Sequence, residues 1–320
     1  MELERREAER ELNWALRESG GLGLGRLLGK GTYGKVWQGH RPGLGLRAVK
    51  VMRPDQLRPA YVEKFLPREL ELGKLVGGAE RCPTLLGVDS VVWTGGRRMV
   101  GVVGELAEGG DLLAYVRAHQ RVPERPASFL FRQLVEGLRF LHGRHLAHRD
   151  LKLENILLTC DGNARLADLG FARIQRPADP DSETFCGSPA YAAPELLRSQ
   201  PYRAAAVDLW GLGVILYTIL TGFMPFDDRD IPKMLQRQLA HKVRFSRSGP
   251  AVSAGAREAV VALLRPEPWR RPSAEELVGQ AFLGSVPFQP RLPADALLAG
   301  CPLPRHSPHL QPTAEEVSSA

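Results

Sequence analysis

Hydrophobic and polar positions divide the chain into segments of different period. Residues 2–18, ELERREAERELNWALRE, set Glu and Arg at i,i+3 and i,i+4 spacings, which predicts an exposed helix supported by side-chain ion pairs. Gly20, Gly21, Gly23 and Gly25 end it. Between Arg26 and Val51 three short apolar runs predict strands: Leu27-Leu28 enters a glycine turn, Lys35-Val36-Trp37 leaves it, and Leu46 to Val51 follows the Pro42-Gly43 turn. Phe65 to Val76 is periodic. From Glu108 onward helical spacing takes over, in Leu112-Leu113-Val116, in Phe129-Leu130-Gln133-Leu134-Leu138-Leu141 and in Leu209 to Leu220. A small β-rich part is therefore followed by a larger helical one. Beyond Leu283 prolines recur, no apolar period survives, and the tail reads as disordered.

Composition narrows the class. With 320 residues, 43% hydrophobic and 25% charged, the chain is long enough for well-buried cores. No apolar run approaches the roughly 18 to 20 residues of a membrane span, and Met1 to Ser19 is charged where a signal peptide would be apolar, so an intracellular, cytoplasmic protein is expected. Cys82, Cys160, Cys186 and Cys301 are too scattered for a zinc site or a disulfide framework. The net charge of +7 comes mainly from arginines spread singly along the chain, which speaks for solvated surface and against nucleic acid as a partner.

Two clusters carry chemistry. Gly29-Lys30-Gly31-Thr32-Tyr33-Gly34-Lys35-Val36 is a GxGxxGxV turn between two strands, whereas a dinucleotide site needs a helix after the turn. Lys50, after Ala48-Val49, is placed to reach phosphate oxygens from a strand, with Glu69 the candidate carboxylate to anchor it. The stronger cluster is His148-Arg149-Asp150-Leu151-Lys152-Leu153-Glu154-Asn155, followed by Asp168-Leu169-Gly170. An Asp to accept a hydroxyl proton, a Lys to meet the transferred phosphate, and an Asn and second Asp to hold Mg²⁺ are what in-line phosphoryl transfer requires.

Together with Ala193-Pro194-Glu195, Asp208-Leu209-Trp210-Gly211-Leu212-Gly213 and Arg271, these motifs resemble the eukaryotic protein kinase set, in order, over residues 23–283. Phe65 to Glu69, Phe185 to Glu195 and Gly222 to Leu235 resemble more narrowly the testis-specific serine/threonine kinases of the calcium/calmodulin-dependent-kinase-like group. The resemblance implies an α+β, two-lobed fold: an extension over 1–22, a β-rich N-lobe with one regulatory helix over 23–105, a mainly helical C-lobe over 106–283, and the Pro-rich tail over 284–320. It implies transfer of the ATP γ-phosphate to Ser/Thr hydroxyls of proteins, with a role in male germ-cell differentiation. Asp150 is then the base and Lys152 steadies the γ-phosphate. Asn155 and Asp168 hold Mg²⁺, for which Mn²⁺ can substitute, and Lys50 paired to Glu69 holds the α/β-phosphates. Gly29, Lys30, Gly31, Gly34, Val36, Ala48 and Leu157 surround the nucleotide, Glu105 and Ala107 offer backbone groups to adenine, and Asp111 lies near the ribose. Asp111 and Glu154 also stand where basophilic kinases meet arginines upstream of the acceptor, though Thr218 replaces a further acidic residue. Ser188 with Lys152 favours Ser/Thr acceptors. Thr184 is the expected phosphorylation site, with Arg149 and Arg173 converging on it, and the implied partners are protein substrates and an activating kinase or chaperone, not nucleic acid or membrane.

Three residues depart from the family pattern. Leu169 stands for the usual Phe and keeps an apolar plug. Gly104, where a larger side chain is usual, is expected to leave an open pocket behind the adenine, and Gly73, one turn after Glu69, removes an apolar contact and weakens the helix. These losses predict a strong dependence on phosphate at Thr184, and they keep open a second reading as a nucleotide-binding pseudokinase scaffold.

Overall fold

The computed structural model describes residues 2–31, 34–43, 45–59, 61–77, 82–94, 99–246, 251–284, 286 and 288. Thr32 and Tyr33 at the tip of the glycine turn, and nearly all of the Pro-rich tail, lie outside them. The chain forms two compact units that divide between Glu108 and Gly109, three residues beyond the lobe boundary expected from the sequence.

In the first unit, helix α1 (Glu2–Gly20) precedes strands β1 (Gly23–Gly31), β2 (Gly34–Arg41) and β3 (Gly45–Met52). A π-helical turn (Tyr61–Phe65) runs into α2 (Leu66–Gly77), followed by β4 (Val88–Trp93) and β5 (Val100–Glu105). Pro67 lacks the N–H that would close an i to i−4 bond, in keeping with an irregular turn just before α2. The described strands form one antiparallel sheet in the order β1-β2-β3-β5-β4. Strand alternation separates its faces. Val49, Val51, Met99 and Val103 form one cluster with Leu12 and Leu16 of α1, while Met52, Val100 and Val102 pack with Tyr61 and Leu66.

The N-terminal helix is thus present, but where the ion-pair pattern predicts an exposed helix, one face of its described part is buried. Leu12 and Leu16 are 0% and 1% exposed, and burial of each contributes about 2 kcal/mol. Asn13 Oδ1 accepts from the Leu24 amide of β1 at 3.2 Å, and Glu9 pairs with Lys35 of β2 at 3.4 Å. Residues 2–20 are part of the N-lobe and not an appendage to it.

The second unit begins with α3 (Leu112–His119) and α4 (Glu124–His142). Short ladders follow, β6 (Leu146–Ala147) with β9 (Arg173–Ile174) and β7 (Ile156–Leu158) with β8 (Ala164–Leu166). Next come α5 (Pro194–Leu197), α6 (Ala204–Thr221), α7 (Ile231–Leu239), α8 (Ala254–Leu263), α9 (Ala274–Val278) and α10 (Ala281–Gly284). The expectation that no segment has membrane-span length needs correction: α6 is long and apolar enough, and 83% of it is buried. It is apolar all round because it forms the centre of the unit. Gly213 lets α8 come close, since a Cβ there would lie 2.7 Å from Leu263 Cβ. Gly222 ends the helix in the left-handed region at φ 83°, with its N–H on the Thr218 carbonyl.

Candidate active site

The first unit presents its candidate residues on one face of the sheet. Lys50 stands opposite Val36 and Val102, and Ala48 opposite Gly104, so these side-chain positions face away from α1. Gly34 lets the start of β2 lie close against β3, because a Cβ there would run into the Val51 carbonyl oxygen. Lys50 Nζ lies 2.5 Å from Glu69 Oε1, the pairing the sequence predicts. The other carboxylate oxygen, Oε2, accepts from the Tyr61 hydroxyl at 2.8 Å. Tyr61 escaped the sequence reading. Its only signal is a spacing of eight residues, about two turns, before Glu69.

Gly73 and Gly104 do not leave the voids expected of them. A Cβ on Gly73 would collide with Val88 Cγ2, and one on Gly104 would lie 2.6 Å from the Gly87 carbonyl oxygen. Val88 at the start of β4 and Gly87 just before it occupy these spaces, and the bulge between Val88 and Ser90 in the β4–β5 ladder accompanies that approach. Glu69 therefore reaches Lys50 despite the two glycines. Gly104→Met would therefore not enter an empty pocket. The substitution should itself destabilise the protein by roughly 1–3 kcal/mol through overpacking, and ATP analogues with a bulky N6 group should bind the wild type no better than they bind kinases with larger residues there. Thermal denaturation and inhibitor titration of both forms check this; an unchanged melting temperature would mean that Gly87 yields freely.

In the second unit the loop 148–155 is held from below by Asp208 of α6. Its Oδ2 accepts from the His148 amide at 2.8 Å and lies 2.9 Å from His142 Nε2, while its Oδ1 accepts from the Arg149 amide at 2.7 Å. Arg149 and Asp168 are both in the left-handed region, at φ 64° and 66°, which costs on the order of 1–3 kcal/mol each for non-glycine residues. These contacts offset that strain. His148 ties together residues next to the two strained ones, since its Nε2 donates to the Ala167 carbonyl at 3.0 Å and its Nδ1 accepts from the Asp150 amide at 3.3 Å.

Asp150 is 5% exposed. Its Oδ2 accepts from Asn155 Nδ2 at 2.8 Å and lies 3.1 Å from Lys152 Nζ. Lys152 Nζ also donates to Ser188 Oγ at 3.3 Å, which places Ser188 beside the loop 148–155. Burial alone would lower the Lys152 ammonium, but Asp150 first, then Glu154 and Asp168, outweigh it and hold the pKa above the usual lysine value. Gly187, at φ 94°, flanks the remaining carboxylate oxygen: a Cβ there would lie 3.5 Å from Asp150 Oδ1 and 3.0 Å from the Arg149 carbonyl. Its lack of a side chain keeps the approach to Oδ1 open.

Asn155 gives Nδ2 to the Asp150 carbonyl at 2.8 Å as well, which leaves its amide oxygen as an acceptor. Asp168 accepts from the Gly170 amide at 3.1 Å. Among the described residues no cluster of three or more His, Cys, Asp or Glu could hold a metal unaided. Two hard oxygen donors without a protein cage fit a Mg²⁺ that takes its other ligands from phosphates and water.

Asp111 is committed to structure: its Oδ1 caps α3, accepting from the Ala114 amide at 2.7 Å, and its backbone bridges Leu157. Glu105 ends β5, and Ala107 follows it in the same unit. Arg173 lies in β9 opposite Ala147 and makes no ion pair among the described residues, so the predicted convergence of two arginines on Thr184 is not seen. Arg149 donates instead to the Phe171 carbonyl at 2.8 Å and to the Tyr202 hydroxyl at 3.3 Å.

Comparison with known proteins agrees with this geometry. Residues 23–283 match the family described as protein kinase domain. The chain is 38% identical to human testis-specific serine/threonine-protein kinase 3 over 84% of its own length and 98% of that protein. It is 37% identical to mouse testis-specific serine/threonine-protein kinase 2, over 84% of this chain and 74% of that one. It is 39% identical to CBL-interacting protein kinase 16 of Oryza sativa subsp. japonica, over 87% of this chain and 62% of that one. A loop held in this way, inside the stretch 23–283 that matches the protein kinase domain, makes the chain a member of the protein kinase family, with serine/threonine kinases as its relatives.

Proposed function

We propose that this serine/threonine kinase uses ATP with Mg²⁺ or Mn²⁺ to phosphorylate cytoplasmic proteins of male germ cells that carry an arginine three residues before the acceptor. The observation that carries the reading is the Asp150 carboxylate, with Oδ2 tied to Asn155 and Lys152 and Oδ1 left to an incoming hydroxyl. Asp150 orients that hydroxyl and takes its proton, while Lys152, kept cationic, steadies the γ-phosphoryl group as it passes from ATP to the hydroxyl oxygen and ADP leaves. Asn155 and Asp168 would hold the cation, which neutralises phosphate charge when bound. Lys50, fixed by Glu69, serves the α/β-phosphates.

The preference for arginine rests on Glu154. Its Oε2 is buried with no hydrogen-bond partner, and burial first, then Asp150 and Asp111, raise its pKa above the ordinary carboxylate value. A guanidinium would satisfy that oxygen and relieve the crowding of negative charge. An arginine at the third position before the acceptor should raise kcat/KM about tenfold or more, and Glu154→Gln should remove most of the gain. Because the pKa is raised, the charged form that attracts arginine is lost at a higher pH than for an ordinary glutamate. The arginine advantage should therefore shrink early as the assay is acidified. A peptide library assayed across pH tests both points; a preference for acidic or proline-flanked acceptors would overturn the assignment. The relatives named for the testis support the germ-cell setting, and measurement of protein abundance across tissues tests it.

A further inference from the structure

Between β9 and α5 the chain runs as a long, largely irregular segment, and most of its polar anchoring comes from three residues, Tyr202, Arg203 and Ala204. Tyr202 pairs with Ser182 in both directions, amide to carbonyl at 2.9 Å and back at 2.8 Å. Its hydroxyl donates to the Thr184 carbonyl at 2.7 Å and accepts from Arg149 at 3.3 Å. Arg203 donates to the carbonyls of Asp179 and Arg176, both at 2.9 Å. The Ala204 amide donates to Gln175 Oε1 at 2.7 Å, and Gln175 Nε2 donates to the Pro180 carbonyl at 2.9 Å. Tyr202 is 3% exposed and Ser182 is fully buried, whereas the Thr184 side chain is exposed.

The acceptors in this arrangement are mainly backbone carbonyls, spread from Arg176 to Thr184. None of them needs a phosphate. The Arg149 guanidinium, which a phosphate on Thr184 would otherwise engage, already gives two of its donors to Phe171 and Tyr202. Tyr202 passes that positive charge on: a phenol that accepts from a guanidinium is a stronger donor, and its proton goes to the Thr184 carbonyl. Burial, followed by the neighbouring Cys186, raises the Tyr202 pKa, so the hydroxyl keeps the proton it donates.

We propose that Tyr202 is a positioning residue that couples Arg149 to the Thr184 backbone and holds the segment in place without phosphorylation, so that the unmodified kinase has substantial basal activity. This departs from the strong dependence on phosphate read from Gly73 and Gly104, and it rests on the kinase reading given above. A phosphate on Thr184 adds to an existing latch and does not create one.

The test uses full-length wild type, Thr184→Ala, Tyr202→Phe and the double variant, each assayed for peptide phosphorylation and for hydrogen exchange over residues 176–187. Thr184→Ala should keep kcat within about threefold of unphosphorylated wild type. Tyr202→Phe, which retains the buried ring, should lower kcat about tenfold in either background with the KM for ATP unchanged, and should speed exchange at Ser182 to Cys186. The unchanged KM separates a positioning role from general loss of structure. Equal kcat and equal exchange with Phe at 202 would overturn the proposal, as would a Thr184→Ala enzyme that is inactive while exchange stays slow. Fast exchange in the Tyr202 variants of a chain with no transferase activity at all would support the latch and reject the kinase reading instead.

Discussion

Asp150→Asn is expected to lower kcat by roughly 10²- to 10⁴-fold while leaving the fold in place, because the carboxylate that takes the hydroxyl proton is replaced by an amide that cannot. The amide oxygen can still accept from Asn155 or Lys152, so the loop keeps part of its hydrogen bonding. Lys152 loses the charge that most raises its pKa, and that pKa should fall toward or below the usual lysine value. Single-turnover phosphorylation measured beside thermal denaturation separates chemistry from stability. Residual kcat within tenfold of wild type would show that another group accepts the proton.

Arg271→Ala is expected to act on stability first. Its guanidinium donates to both carboxylate oxygens of Glu195 at 2.6 and 2.7 Å and to the carbonyls of Arg265, Ala206 and Pro266, and it lies 5.0 Å from the centre of the Trp210 ring. Both partners are buried, so truncating the arginine strands a carboxylate in the core at a cost of about 3–5 kcal/mol. For a domain of this size each kcal/mol moves the melting temperature by about 2–4 °C, so a fall of about 6–20 °C should appear in calorimetry. Arg271→Lys should recover little of it, since an ammonium cannot span two carboxylate oxygens and three carbonyls. Activity should fall with stability here, unlike in Asp150→Asn, because Glu195 opens α5, where the segment that carries Ser188 ends. A melting temperature within two degrees of wild type would show that solvent or another cation reaches Glu195.

The chemistry was legible in the chain because its residues are neighbours in sequence. Asp150, Lys152 and Asn155 lie within six residues of one another, so a tight loop converts their spacing directly into geometry. The two-part division, the strands around the glycine turn and the long C-terminal helices were legible for a related reason: alternation and helical period are local properties of the chain. Lys50 and Glu69 are 19 residues apart: residue type and the periodic stretch around Glu69 made it the candidate partner, and only the resemblance to a family carried the pairing further.

Tertiary structure alone decided the rest. Charged spacing announced a helix over residues 2–18, but Leu12 and Leu16 are two apolar residues on one face, and whether that face meets water depends on a sheet formed later in the chain. Gly73 and Gly104 announced two missing side chains, and nothing local says that Gly87 and Val88 fill both spaces. Tyr61 and Tyr202 read as ordinary core residues, and Asp208 only as one member of a motif, until the fold brings them to Glu69, Thr184 and the His148–Arg149 amides. A sequence states which groups exist and how near neighbours are spaced. Which distant group takes a vacant volume or an unsatisfied hydrogen bond is settled only by packing, because that depends on the register and approach of elements far apart in the chain.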